Sequence, residues 1–236
     1  VDGVTYSFPV GGISMVVGVD TDVSSSFTGA CSYSAFTDYM GDCGTGNTLG
    51  AGGKGLTATG SYEFDSGLSI AAGMSSTADG DDQAANKVGI MTDEGTDSVG
   101  LNAAYTTDSW SLAAAYIHDD GAKEDGTSSW GINGTYVFDE SNLPTLSAGY
   151  ETQATAGTDT SGYFFGLTWP EVGPGSLSVG AATKGNFADT ATEYMIYEAS
   201  YSYPVNDGLT VTPGVFIEET AGDDLTGIIV KSSFSF

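Results

Sequence analysis

Apolar and polar residues alternate with a period of two along most of the chain. Phe236, Phe234, Val230 and Ile228 fall on one face of the last segment, and Ser235, Ser233 and Lys231 on the other. Leu209, Val211, Pro213, Val215 and Ile217 alternate with Thr210, Thr212, Gly214 and Phe216. Leu56, Ala58, Gly60, Tyr62 and Phe64 alternate with Thr57, Thr59, Ser61 and Glu63. This period is the signature of a strand with two unlike faces. It predicts thirteen strands, near 3–10, 13–20, 55–64, 67–76, 97–107, 109–118, 128–138, 144–152, 161–169, 175–184, 193–203, 208–218 and 225–236. Each is about long enough to cross a bilayer when tilted. No segment carries the spacing of an amphipathic helix.

The makeup of the two faces indicates which one is turned inward. The polar face is built from Gly, Ser, Thr, Asn and Ala with an occasional charge. The apolar face ends in aromatic pairs: Tyr6 and Phe8, Tyr62 and Phe64, Tyr136 and Phe138, Tyr201 and Tyr203. A soluble sandwich packs bulky branched residues inside. A small, polar inner face with an aromatic-edged apolar face instead suits a transmembrane antiparallel β-barrel whose apolar stripe meets lipid. The chain has no run of about 18 apolar residues, so no membrane-spanning helix is expected, and no leader, as expected of a mature exported chain. The composition shows no break, which predicts one domain over residues 1–236.

Connection lengths alternate. The short ones are Gly11–Gly12, Asp65–Ser66, Thr107–Asp108, Asp139–Leu143, Pro170–Pro174 and Pro204–Asp207; the long ones are 21–54, 77–96, 119–127, 153–160, 185–192 and 219–224. Outer-membrane barrels keep short turns in the periplasm and longer loops outside, so the long connections are expected to face the exterior. Antiparallel closure needs an even strand number in bacterial single-chain barrels. The odd count implies an odd number of strands before Val1, for a total of 16, or alternatively 14. Pro213 lacks a ladder N–H in mid-strand, which predicts a bulge or a local break in pairing.

Charge narrows the partners. There are 31 acidic and 5 basic residues, a formal net charge of −26, and every basic residue is a lysine. That excludes nucleic acid, which needs a basic surface. Many carboxylates fall in the long connections, among them Asp38, Asp42, Asp93, Glu94, Glu124, Asp125, Asp223 and Asp224. They could concentrate cations or simply solvate the surface. Asp79, Asp81 and Asp82 do not match a calcium loop, so neither a metal nor a cofactor is assigned. On the polar face the charged candidates for lining a pore are Asp20, Glu63, Glu198, Glu218, Lys184 and Lys231. Charged rings in a lumen tune selectivity. Glu198 is the preferred candidate, and Lys231 has a second reading as the structural partner of an inward carboxylate. Cys31 and Cys43 enclose residues 32–42 and form a local disulfide if the compartment is oxidising, or remain thiols otherwise. His118 is the only histidine. With no nucleophile and base set beside it, no catalytic residues are assigned and no enzyme activity is expected.

The stretch Val1–Gly11, the Cys31 to Gly44 loop and the ending Tyr197–Phe236 resemble the cyanobacterial major outer-membrane porins, of the OprB-like, carbohydrate-selective porin family. The resemblance covers essentially the whole chain. It implies a homotrimer embedded in outer-membrane lipid, barrels of about 16 strands, and passage of inorganic ions and small hydrophilic solutes. It also implies a cell-wall-gripping surface-layer-homology domain that is not in this sequence. Sugar specificity is not carried over, because no arginine is present to match a sugar-binding constriction. Phe234 and Phe236 resemble the assembly signal of such barrels; they also read simply as part of the aromatic girdle. A non-conducting structural or surface-interaction protein of the same membrane is the alternative.

Overall fold

All thirteen alternating segments form strands in the computed structural model, which describes residues 3–37, 43, 55–78, 95–120, 126–140, 142–155, 157–185, 187–188 and 191–235. In chain order they are β1 (Val4–Val10), β2 (Ile13–Thr21), β3 (Gly55–Glu63), β4 (Leu68–Ala78), β5 (Gly95–Thr106), β6 (Trp110–Asp120), β7 (Thr127–Tyr136), β8 (Thr145–Thr155), β9 (Thr158–Val172), β10 (Gly175–Thr183), β12 (Met195–Asn206), β13 (Leu209–Glu218) and β14 (Leu225–Phe234). The sequence pattern did not reveal β11, the pair Phe187–Ala188, which bonds to Ser161 and Thr160 of β9. Two residues are too few to display a period.

Each long strand pairs antiparallel with its predecessor, so the sheet order follows the chain from β1 to β14. Among the described residues there is no helix. The turns explain the meander. Gly11 and Gly12 both hold positive φ, 56° and 89°, as a two-residue hairpin loop matched to strand twist requires. At Asp20, φ is 58°, and the β2–β3 register shifts between Gly18 and Thr21. This bulge ends β2 and turns the chain away from the sheet.

Pro213 keeps its strand in register. It sits opposite Val230 of β14, and no bulge forms. The effect falls on the other side: pairing with β12 lapses between Gly214, opposite Ser200, and Val211, opposite Tyr203, then resumes in the same register. Within the lapse the hydroxyls of Thr212 and Ser202 lie 3.4 Å apart, a long contact.

The apolar residues are the exposed ones. Ile228 is 78% exposed, Val4 70% and Leu101 60%. Their neighbours on the other face, such as Thr57, Thr59, Ser98, Asn102 and Ser129, are buried. Aromatic pairs meet edge to face along the exposed face, Tyr62 with Phe64 at 4.7 Å and Tyr136 with Phe138 at 4.9 Å between ring centroids. Phe234 is exposed on that face; Phe236 lies outside the described residues. A sheet with its large apolar side chains outward and its small polar ones inward is built for an apolar surrounding.

Leu101 sits near the middle of β5, opposite Ala72 and Tyr116. Leu101→Arg should cost about 2–4 kcal/mol, as lipid-facing charges do near the midplane. The same charge at inward Ser61 should cost far less. Urea unfolding of the two variants from lipid vesicles measures the difference.

Candidate functional site

The segment Asp22–Thr37 does not extend outward from the strand ends. It runs along the polar face of the sheet and touches nearly every strand from β3 to β14. The expectation that all of 21–54 faces the exterior therefore fails for these residues. The cause is a set of inward groups that bond to the segment's backbone.

At its start, Asp22 Oδ1 accepts from Ser24 N (2.7 Å) and Ser24 Oγ (2.8 Å), and Phe27 N donates to Ser24 O at 2.8 Å. This compact turn reverses the chain. Ser26 Oγ then bonds to Thr59 Oγ1 of β3. Thr28 N donates to Asn102 Oδ1 of β5 at 2.8 Å, and Asn102 Nδ2 returns a bond to Thr28 O at 3.2 Å. Ala30 N donates to Asn133 Oδ1 of β7 at 2.8 Å, and Ser111 Oγ of β6 donates to Ala30 O at 2.8 Å. Ser32 N donates to Thr135 Oγ1 at 2.8 Å. A segment without secondary structure thus satisfies its buried backbone through wall side chains.

Inward glycines make room for it. A Cβ on Gly73 would lie 2.6 Å from Val23 O, and one on Gly100 would lie 2.7 Å from the Phe27 ring. Gly166 and Gly180 are occupied in the same way by Tyr33, and Gly214 by Phe36. Large inward residues supply apolar contact: Tyr33, Cys43, Phe164, Ala182, Ile196 and Phe216 form one buried cluster. Cys31 and Cys43 are disulfide-bonded, with Cα atoms 5.8 Å apart, so the bond staples the segment within this cluster.

The length of the segment also bears on the curvature of the sheet. From Ser26 to Phe36 a fully extended chain reaches about 35 Å. Crossing from β3 to β13 on a flat sheet takes about 43 Å at ~4.8 Å per strand. The sheet therefore wraps around the segment, and the face that holds it is concave.

Glu198 is the strongest anchor. Its carboxylate accepts from Tyr33 Oη (2.9 Å), Phe36 N (2.6 Å), Thr37 N (2.8 Å) and Thr37 Oγ1 (2.8 Å). It is only 4% exposed. Preferred from sequence as a water-facing wall charge, it instead spends its acceptor capacity on the segment. Burial first, and the adjacent carboxylate second, push the Tyr33 phenol upward in pKa, so it remains a donor at physiological pH.

The other sequence candidates lie at two levels. Asp20 is exposed at the bulge where β2 ends, and Lys184 and Glu218 form an ion pair at the same, long-connection end of the sheet. Glu63 is exposed at the short-turn end. Lys231, also nearer that end, places its ammonium 5.0 Å from the centroid of the Phe36 ring. Among the described residues it makes no ion pair, so its second reading, as a carboxylate's partner, is not what the structure shows. His118 lies at the end of β6 on the apolar face, 3.0 Å from Ser128 Oγ. Asp79, Asp81 and Asp82 lie outside the described residues.

Sequence reasoning missed the anchoring roles of Asn102, Asn133 and Tyr33. One signal was present: Ile117, Phe164, Ile196 and Phe216 are large apolar residues on an otherwise small, polar stripe, and such residues need an apolar partner inside.

No family model matches the chain, and no curated protein matches it. Its fold does have counterparts among solved structures. It is similar to a porin refined at 1.8 Å resolution, with a TM-score of 0.69 and 16% identity over 98% of this chain and 80% of that one. It is similar to an anion-selective porin from Comamonas acidovorans, with a TM-score of 0.70 and 13% identity over 99% and 77%. The trimer form of OmpT, an outer membrane protein of Vibrio cholerae, gives 0.62 and 14% over 97% and 74%. The fold is that of the porin-type antiparallel β-barrel.

Glu198→Ala would leave four donors without an acceptor. Hydrogen bonds to a charged group contribute about 1.5–3 kcal/mol each, though not additively. We expect the Phe36 and Thr37 amides to exchange with solvent at least about a hundredfold faster, read by hydrogen–deuterium exchange, with strand amides unchanged. Cys31→Ser with Cys43→Ser should lower stability by roughly 3 kcal/mol on the loop-entropy estimate, measured by denaturant unfolding.

Proposed function

We propose that this protein is an outer-membrane porin: an integral barrel that lets inorganic ions and small hydrophilic solutes diffuse passively, with Asp22–Thr37 as its constriction. The observation that carries the reading is the concave polar face crossed by a tethered segment, inside a sheet whose convex face is apolar and exposed. A hydroxyl-lined passage offers hydrogen bonds to hydrated solutes. A segment fixed by Glu198, Asn102 and Asn133 narrows it without closing by chance motion. The likeness to porin structures supports the reading, and one of those structures is described as a trimer, which suits a homotrimer. In this reading the barrel sits in a bacterial-type outer membrane with its long connections outside, in keeping with the resemblance to the OprB-like cyanobacterial porins.

The acidic balance favours a mild cation preference. Asp20, Glu219, Asp223 and Asp224 lie at the long-connection ends of strands. Carboxylates there raise local cation concentration over about a Debye length, ~8 Å at physiological salt. The close packing of the segment against the wall favours one other reading, a non-conducting barrel with a structural role.

Planar-bilayer recording decides between them. We expect stepwise conductance, a reversal potential favouring K⁺ in a KCl gradient, and loss of that preference as salt rises toward 1 M, where screening shortens to about 3 Å. A folded, heat-modifiable barrel with no conductance would overturn the porin reading.

A further inference from the structure

On the short-turn side of the constriction lies a cavity of about 350 Å³, bounded by the segment and by β9, β10, β12, β13 and β14. Of its twelve described lining residues nine carry a hydroxyl, among them Ser34, Thr168, Ser178, Ser200 and Thr212. Among the described residues the only charged one lining the cavity is Lys231, and none is a carboxylate. In a chain with 31 acidic residues and 5 lysines, that local inversion is a specific feature of the wall.

The groups are available to a guest. Among the described residues the Lys231 ammonium has no acidic partner, and its neighbour is the Phe36 ring. The hydroxyl pairs Thr168 with Ser178 (3.3 Å) and Thr212 with Ser202 (3.4 Å) are long, beyond the usual range for O–H···O bonds. Their protons can turn to a better acceptor. An ammonium among converging hydroxyl donors, with no carboxylate to compete, matches a small oxyanion: one charge-assisted contact and several neutral donors around it. A metal cation would meet the ammonium's repulsion. A polyol could bond to the same hydroxyls but would bring no negative charge to the ammonium.

We propose that this cavity is a binding site for a small tetrahedral oxyanion of the phosphate or sulfate class, with Lys231 as its charged ligand. The inference rests on the porin reading, since an open passage is what brings a solute to the inner wall. It gives the passage two levels of opposite sign: carboxylates at the long-connection rim and a lysine-centred oxyanion station beyond the constriction.

The test is ³¹P line broadening of inorganic phosphate by the folded protein in detergent micelles, run beside bilayer recording in KCl. We expect saturable broadening, about tenfold weaker binding in Lys231→Gln, near-native binding in Lys231→Arg, and no change in Lys184→Gln, whose charge lies outside the cavity. Ser178→Asp, which adds a carboxylate to the same wall, should also weaken binding and serves as the second variant if Lys231→Gln does not fold. Absence of broadening by the folded wild type, or equal broadening by wild type and the cavity variants, overturns the oxyanion site. Conductance without phosphate binding removes this inference alone. Phosphate binding without conductance removes the porin reading and leaves the site.

Discussion

A strand in hydrocarbon has no water to bond, so every backbone N–H and C=O must find a partner on a neighbouring strand. That constraint accounts for the uninterrupted antiparallel order from β1 to β14. It also explains how little Pro213 disturbs. The residue keeps its place opposite Val230 on one side and forfeits pairing only toward β12, between Gly214 and Val211. Once the backbone is committed to the sheet, side chains are the remaining variable. They alternate by pleat, so an apolar convex face leaves every second residue free to serve the concave one.

The concave face uses that freedom to hold sixteen residues, Asp22–Thr37, that form no strand. Gly73, Gly100, Gly166, Gly180 and Gly214 clear a track for them, and Asn102, Asn133 and Glu198 bond to them. Glu198 suits its place because a carboxylate accepts only, and its four partners are all donors. An amide there would turn an N–H toward an N–H. The Cys31–Cys43 bond and the cluster around Phe164 and Ile196 add covalent and apolar restraint at the same level. The segment and the wall are therefore mutually dependent, since the sheet curves around what it binds.

Most of the fold was legible from sequence because its signal is local. Period-two alternation needs only neighbours, and all thirteen long strands lie within a few residues of where that pattern puts them. The small, polar stripe identified the inner face for the same reason. The site was much less legible. Tyr33 meets Glu198 across 165 positions of sequence, and Ala30 meets Asn133 across 103. Nothing near residue 30 marks it as interior, and a Ser-, Gly- and Asp-rich stretch between two strands reads as an outer loop.

By itself, then, the sequence determined the strands, their two faces, the absence of a basic surface and the cysteine pair, since each is a property of composition or of adjacent residues. Only the tertiary structure decided that Asp22–Thr37 lies inside, that Glu198 is an anchor and that Lys184 pairs with Glu218 while Lys231 faces a hydroxyl-lined cavity. Those outcomes depend on curvature and register summed over a dozen strands, which bring distant side chains within bonding distance in a way no local pattern encodes.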